Sequence, residues 1–239
     1  MLPRLYCPSP LALGAIVDLA PSAAHHAARV LRLSCGDKVI LFDGNGSEFP
    51  ARLLGGDQAQ IEACTPMDRE APLQITLAQA LPSGDKMDWV VQKAVELGVA
   101  CIQPLAARRS VVRLSGERER KRIEHWQQVA VSACEQCGRN RVPSVEPLLD
   151  LPRFLGLAAR SQGTRLLLAP EAAPRLRELS PPSGRVTLLI GPEGGFENDE
   201  IQAATAAGFS AIRLGPRVLR TETTGLAAVA AMLALWGDF

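Results

Sequence analysis

Two stretches carry residue types and spacings that could do chemistry: Gly191-Pro192-Glu193-Gly194-Gly195-Phe196, and Leu214-Gly215-Pro216-Arg217-Val218-Leu219-Arg220-Thr221-Glu222-Thr223-Thr224. Glycines admit positive φ and let a ligand lie close against backbone N–H and C=O groups. The first stretch is neither G-x-x-x-x-G-K-[ST] nor G-x-G-x-x-G, so the phosphate-cradling and dinucleotide fingerprints are both absent. Neither stretch holds a lysine for phosphate. An adenosyl group held by backbone contacts and apolar side chains fits better; an ordinary glycine-rich β–α turn is the competing reading.

Regular elements must hold these loops in place. Val186–Ile190 is a short apolar run suited to a buried strand. Glu197–Ala207 has helical character with Gly208 as its C′ stop. Ser210–Leu214 is expected as a second buried strand, which places the two loops at the carboxyl ends of neighbouring strands, where open α/β sheets form their crevices. Upstream, Leu73–Ala80 and Ala100–Leu105 read as strands. Between them runs a helix with the stripe Met87, Val90, Val91, Ala94, Val95 and Leu97, Asp85 as its N-cap and Gly98 at its end. Arg165–Ala169 reads as a further central strand with Pro170-Glu171 as its loop. This alternation predicts a parallel sheet with helices on both faces. Leu226–Trp236 is apolar nearly all round and requires burial on more than one side, for which a second subunit is the natural solution.

The motifs GPEGGF…E and LGPRVLRTETT closely resemble those of the knotted SPOUT-class RNA methyltransferases, and among them the 16S rRNA (uracil(1498)-N(3))-methyltransferase family. PRLY, HHAARVLRL, GDKMDWVVQKAVELGV and ACEQCGRNRVP match as well, so the resemblance covers essentially the whole chain. It implies an α/β fold: a SPOUT-type trefoil-knot domain preceded by a small PUA-like β-barrel that binds RNA. It implies S-adenosylmethionine as cofactor, 16S ribosomal RNA of the small subunit as partner, N3-methyluridine as product and a homodimer. The cofactor residues expected on this basis are Leu168, Ala169, Ile190, Gly191, Pro192, Glu193, Gly194, Gly195, Leu214, Gly215, Val218, Leu219, Arg220, Thr221 and Thr223. Methylation at N3 requires loss of a weakly acidic proton. Arg220 is the expected cation for the resulting anion, with Glu193 and Glu222 as candidate proton acceptors; Glu222 has the alternative of satisfying backbone N–H groups at a helix start. Two rival readings are a methyltransferase of this fold acting on another atom, such as a ribose 2′-hydroxyl, and a non-catalytic RNA-binding assembly factor. One departure from the family pattern is Glu197, which stands where a capping-box serine is usual, although Glu200 remains.

The net charge of +1 means that RNA contact must rest on local basic patches. Arg108, Arg109 and Arg113 lie in a loop with little acidic company, and Arg139 and Arg141 follow a helix; these are the expected phosphate contacts. Arg4, Arg29 and Arg32 join them from residues 1–70, which carry hairpin signals such as Asp43-Gly44-Asn45-Gly46 and a short helix over Ala23–Leu31. The polar, proline-bounded Met67–Pro72 sets a boundary between domains at 1–70 and 73–239. Of the six cysteines only Cys134 and Cys137 have ligand-like spacing, on a helical pattern that suits two small buried side chains better than a metal, and no metal is expected. No signal pattern or membrane-length apolar run is present, so a cytoplasmic protein is expected.

Overall fold

The computed structural model of the chain describes residues 2–8 and 10–239. They fall into two compact units. One runs to Glu70 and also takes in Val131–Val142; the other comprises Ala71–Ala130 and Pro143–Phe239. The return of 131–142 to the first unit is absent from the linear division into 1–70 and 73–239.

The first unit is a sheet of β1 (Arg4–Tyr6), β2 (Ile16–Asp18), β3 (Lys38–Phe42), β4 (Ser47–Gly55), β5 (Gln58–Ile61) and β6 (Thr65–Pro66), in the order β1-β3-β4-β5-β2 with β6 on β4. The β3–β4 hairpin turns where Gly44 and Gly46 take φ of 88° and 110°, and the Asp43 carboxylate accepts from the Asn45 N–H at 2.8 Å. Alternate residues Val39, Leu41, Phe49, Ala51, Leu53, Ala59 and Ile61 fill the core with Leu5. The helix expected over 23–31 is α1 (Pro21–His25) followed by a π-helical turn over His26–Val30. Leu31 N–H reaches the His26 carbonyl at 3.0 Å, a widening that ends at Arg32 with φ 57°.

A buried polar network explains why 131–142 belongs here. The Arg4 guanidinium donates to Glu48 and to the Asn140 side-chain carbonyl, each at 2.5 Å, and to the Arg139 carbonyl at 3.2 Å. Arg69 donates to the same Glu48 oxygen at 2.5 Å and to the Gly138 carbonyl at 2.9 Å. Arg139 pairs with Glu70. Cys134 is fully buried with its thiol against the Arg141 carbonyl, and burial pushes that thiol up to about 12, as befits a packing cysteine.

The second unit is a parallel sheet of β7 (Ile75–Ala80), β8 (Cys101–Ala106), β9 (Ser144–Val145), β10 (Leu149–Asp150), β11 (Thr164–Leu168), β12 (Val186–Ile190) and β13 (Ser210–Ile212). Its order is β10-β8-β7-β12-β11-β13, with β9 on β8. The helices are α2 (Lys86–Glu96), α3 (Gly116–Cys137), α4 (Leu151–Ala158), α5 (Asn198–Ala206) and α6 (Thr221–Trp236); the last turns of α3 group with the first unit. Strand alternation sends Ala78, Leu105, Leu167 and Leu189 to one face, where they pack with α4 and α5. The opposite face takes α6, which also packs on α2. At Gly225 a Cβ would stand 2.9 Å from Leu77 and 3.3 Å from Ile190, so only glycine lets α6 lie this close to β7 and β12.

The expected strands and helices are present with two corrections. Strands β12 and β13 are not neighbours, because β11 lies between them. Asp85 makes no capping hydrogen bond; its carboxylate instead pairs with Arg122 at 3.1 Å. At α5 the Glu200 carboxylate accepts from the Glu197 N–H at 2.9 Å, which preserves half of a capping box without serine. Among the described residues no helix is long and apolar enough to cross a membrane.

Candidate active site

The carboxyl ends of β12, β11 and β13 open side by side into a cavity of about 570 Å³, the size of a small-molecule site. Leu168 and Ala169 continue β11 through its middle, the GPEGG loop forms one side, and Leu214–Thr221 forms the other. A Cβ at Gly191 would stand 3.2 Å from the Phe196 ring, so a side chain there requires that ring to shift; Gly195 takes φ 66°. The Gly195 N–H closes a tight turn on the Pro192 carbonyl at 2.9 Å.

The loops are tied together by one hydroxyl. Thr221 Oγ1 donates to the Gly191 carbonyl at 2.5 Å and accepts from the Gln79 amide at 2.9 Å. Gln79 is fully buried at the end of β7 and Thr221 is nearly so, so this link is shielded from water and holds its geometry.

Every expected cofactor residue lines the cavity except Thr223. Thr223 lies in the first turn of α6, two residues from Thr221 and thus on another side of the helix, and it is exposed. Thr224, three residues on from Thr221, takes its place at the cavity. Also at the cavity, and missed from sequence, are Lys86, Phe196, Ile201 and Arg217. Lys86 opens α2, directly after the loop that follows β7, the strand beside β12 in a parallel sheet. That loop necessarily opens at the same edge, and this was the available signal.

Arg220 is exposed at the cavity, and its guanidinium has no hydrogen-bond or ion-pair partner among the described residues. Glu193 is in the opposite condition. Its Oε1 accepts from the Ser83 N–H at 2.9 Å, the Ser83 hydroxyl at 2.6 Å and Lys86 at 3.1 Å. Partial burial pushes its carboxyl up, but these bonds outweigh that and hold it at about 2. With three donors on one oxygen, the Glu193 carboxylate is held in its ionised form near neutrality. Glu222 lies 3.5 Å from Lys86 through Oε2, an oxygen that receives no hydrogen bond, so it does not cap its helix through that atom.

The expected phosphate contacts separate sharply. Arg4 and Arg139 are buried in the network described above, 6% and 4% exposed, so they are structural ion pairs and not phosphate ligands. Arg108, Arg109 and Arg113 do have company, supplied by the tertiary structure. Arg108 pairs with Glu197 at 2.8 Å and Asp199 at 2.5 Å. Arg109 donates to the Gly194 carbonyl at 2.9 Å, and Arg113 to the carbonyls of Ala107 and Arg108. These three brace their own loop and the GPEGG loop. Arg29, Arg32 and Arg141 are exposed, with no side-chain ion pair among the described residues.

A family described as an RNA methyltransferase domain matches residues 69–233, and one described as an RNA methyltransferase PUA domain matches residues 19–64. Ribosomal RNA small subunit methyltransferase E of Buchnera aphidicola subsp. Schizaphis graminum is 34% identical, the match covering 99% of this chain and 98% of that protein. The chain belongs to the ribosomal RNA small subunit methyltransferase E family. This is the family its motifs resemble. The family's enzyme from Bacillus subtilis is 33% identical, over 87% of this chain and 86% of that one. Among solved structures, the small subunit methyltransferase E of Neisseria gonorrhoeae, bound to S-adenosyl methionine, superposes with a TM-score of 0.92 at 42% identity over the full length of both chains. A methyltransferase of Legionella pneumophila in complex with its cofactor superposes at 0.95 with 37% identity, again over both full chains. The family's fold, a SPOUT-type α/β-knot domain preceded by a PUA-like module, is accordingly the fold of this chain.

Proposed function

We propose that this methyltransferase transfers the methyl group of S-adenosylmethionine to N3 of uridine 1498 in 16S ribosomal RNA of the small subunit. The observation that carries the reading is the cavity framed by the GPEGG loop, the end of β11 and the LGPRVLRT loop. Its residues fit the cofactor. Leu168, Ile190, Leu214, Val218 and Leu219 offer apolar walls for an adenine ring. The glycines leave backbone groups accessible to a ribose or amino-acid moiety. When bound there, the cofactor supplies a reactive methyl on a sulfonium.

The chain's own part is to hold the acceptor and stabilise its anion. Loss of the N3 proton spreads negative charge onto the uracil carbonyl oxygens. Arg220, at the cavity and unengaged by protein partners, is the cation placed to favour that form. With reactive partners held in register, positioning supplies much of the rate. Arg29, Arg32 and Arg141 of the first unit are the guanidinium groups available to backbone phosphates. A homodimer in the cytoplasm completes the proposal. In α6, Met232 and Leu233 are buried within the subunit, while Leu235 is 48% exposed and available to a second copy.

The test is incubation of unmodified small subunits with the protein and labelled cofactor, followed by nucleoside mass spectrometry and mapping of the modified position. N3-methyluridine at that position is the expected product. A 2′-O-methylated nucleoside, or no methylation despite RNA binding, would overturn the assignment.

A further inference from the structure

Four side chains converge beside the cavity at the β7–α2 turn; Lys86 and Glu193 line it, and neither the motifs nor the relatives' names give Ser83 or Lys86 a role. Ser83 lies on that turn, Lys86 at the first position of α2, Glu193 in the GPEGG loop, and Glu222 in the first turn of α6. Three donors converge on one oxygen, Glu193 Oε1: the Ser83 N–H, the Ser83 hydroxyl and the Lys86 ammonium. The same ammonium reaches toward Glu222 Oε2 at 3.5 Å. Its hydrogen bond to Glu193, aided by the Glu222 charge, raises the Lys86 pKa and keeps it cationic.

We infer that Lys86, with Ser83, is a positioning residue that clasps the GPEGG loop to the start of α6 and sets the shape in which the loop accepts cofactor. The inference rests on the proposed use of this cavity for S-adenosylmethionine. An isolated pair at this exposure, 33% for each of Lys86 and Glu193, would contribute little. Here the carboxylate is also fixed by a backbone N–H, which cannot rotate away, and one ammonium serves two segments at once. The loop on the far side of Glu193 is already braced, since Arg109 holds the Gly194 carbonyl. The clasp is therefore a further anchor on the side of α2 and α6, beside the Thr221 hydroxyl that holds the Gly191 carbonyl. The ammonium donates to Glu193, and the Glu222 carboxylate adds an ion pair at 3.5 Å without a hydrogen bond, so the charge lies between two partners.

The decisive measurement is calorimetric titration of the full-length protein with S-adenosylmethionine, paired with single-turnover rates at saturating cofactor. Lys86→Met should weaken cofactor binding about tenfold or more, while the saturated rate stays within about threefold. Lys86→Arg, which keeps the charge, should recover most of the affinity. Glu193→Gln should weaken binding similarly, and adding it to Lys86→Met should cost no more than about a further twofold, because both remove one contact. Glu193→Gln carries the test if Lys86→Met fails to fold. Failure of the wild type to bind would refute the use of the cavity itself. Wild-type binding with unchanged affinity in Lys86→Met or Glu193→Gln would refute the clasp alone, as would a loss confined to the saturated rate.

Discussion

In the first unit, Arg4 and Glu48 retain 4% and 9% of their side-chain exposure; in the second, Lys86 and Glu193 retain 33% each. Both clusters place two charged groups on one carboxylate or ammonium, and both join segments distant in sequence. The difference is water. Where water is excluded, removing one partner strands a charge that nothing else can solvate. Where water has access, the same removal leaves a hydrated side chain, and the lost quantity is the local geometry of a loop. The first cluster should therefore be read out as folding stability and the second as ligand affinity.

That contrast can be broken most directly at Glu48. Glu48→Leu leaves Arg4 buried without its carboxylate and should cost about 3–5 kcal/mol of folding stability by chemical denaturation. A loss below about 1 kcal/mol would mean that burial does not separate the clusters. Next in size is Arg220, which belongs to neither cluster. Arg220→Ala should lower the single-turnover methylation rate about a hundredfold, near 2.7 kcal/mol of barrier, with little change in folding stability or cofactor affinity. Weak binding with a normal saturated rate would instead make Arg220 a cofactor ligand. Smaller again is the effect of the exposed arginines of the first unit. Replacing Arg29 and Arg32 together by alanine should reduce the salt dependence of RNA binding by about 1.5 to 2 units of slope if each meets a phosphate, and should leave the denaturation midpoint in place. An unchanged slope would remove them from the RNA surface.

The smallest expected effect is one of acid. Burial alone would push the Glu48 carboxyl up, but hydrogen bonds from Arg69 and Arg4 outweigh it and hold its pKa below the usual 4.5. A depressed carboxylate stabilises the fold at pH values above its unfolded pKa, and that contribution is lost as pH falls through the lower folded value. The stability gap between wild type and Glu48→Gln should thus be constant from pH 7 to about 5 and shrink progressively below 4.5. A gap that widened on acidification would reverse the sign of the coupling. At Glu193, held at about 2, the clasp should persist further into acid than an ordinary carboxylate would allow.

Local chemistry made much of the second unit legible. The run Val186–Ile190 is a strand with those bounds, Gly208 ends α5 with φ 87°, and the glycine loop and Arg220 both reach the cavity. Each depends on short-range causes: apolar branched residues, a left-handed stop, a turn without side chains. What a residue meets across space was not written in its neighbours. Arg108 stands in a stretch poor in acids and yet pairs with Glu197 and Asp199, some ninety positions away, because α5 begins where that loop passes. Arg4 and Arg139 look like free surface cations and are buried, since strand β1 and segment 131–142 close on each other around Glu48 and Glu70. Thr223 and Thr221 are equivalent by composition, but a helical step of two residues turns one to solvent and the other into the link between the loops. By itself the sequence determined the elements, the loops and the family. Which charge is paired and which is free was decided by tertiary structure, because pairing depends on distances set by the whole sheet and its helices.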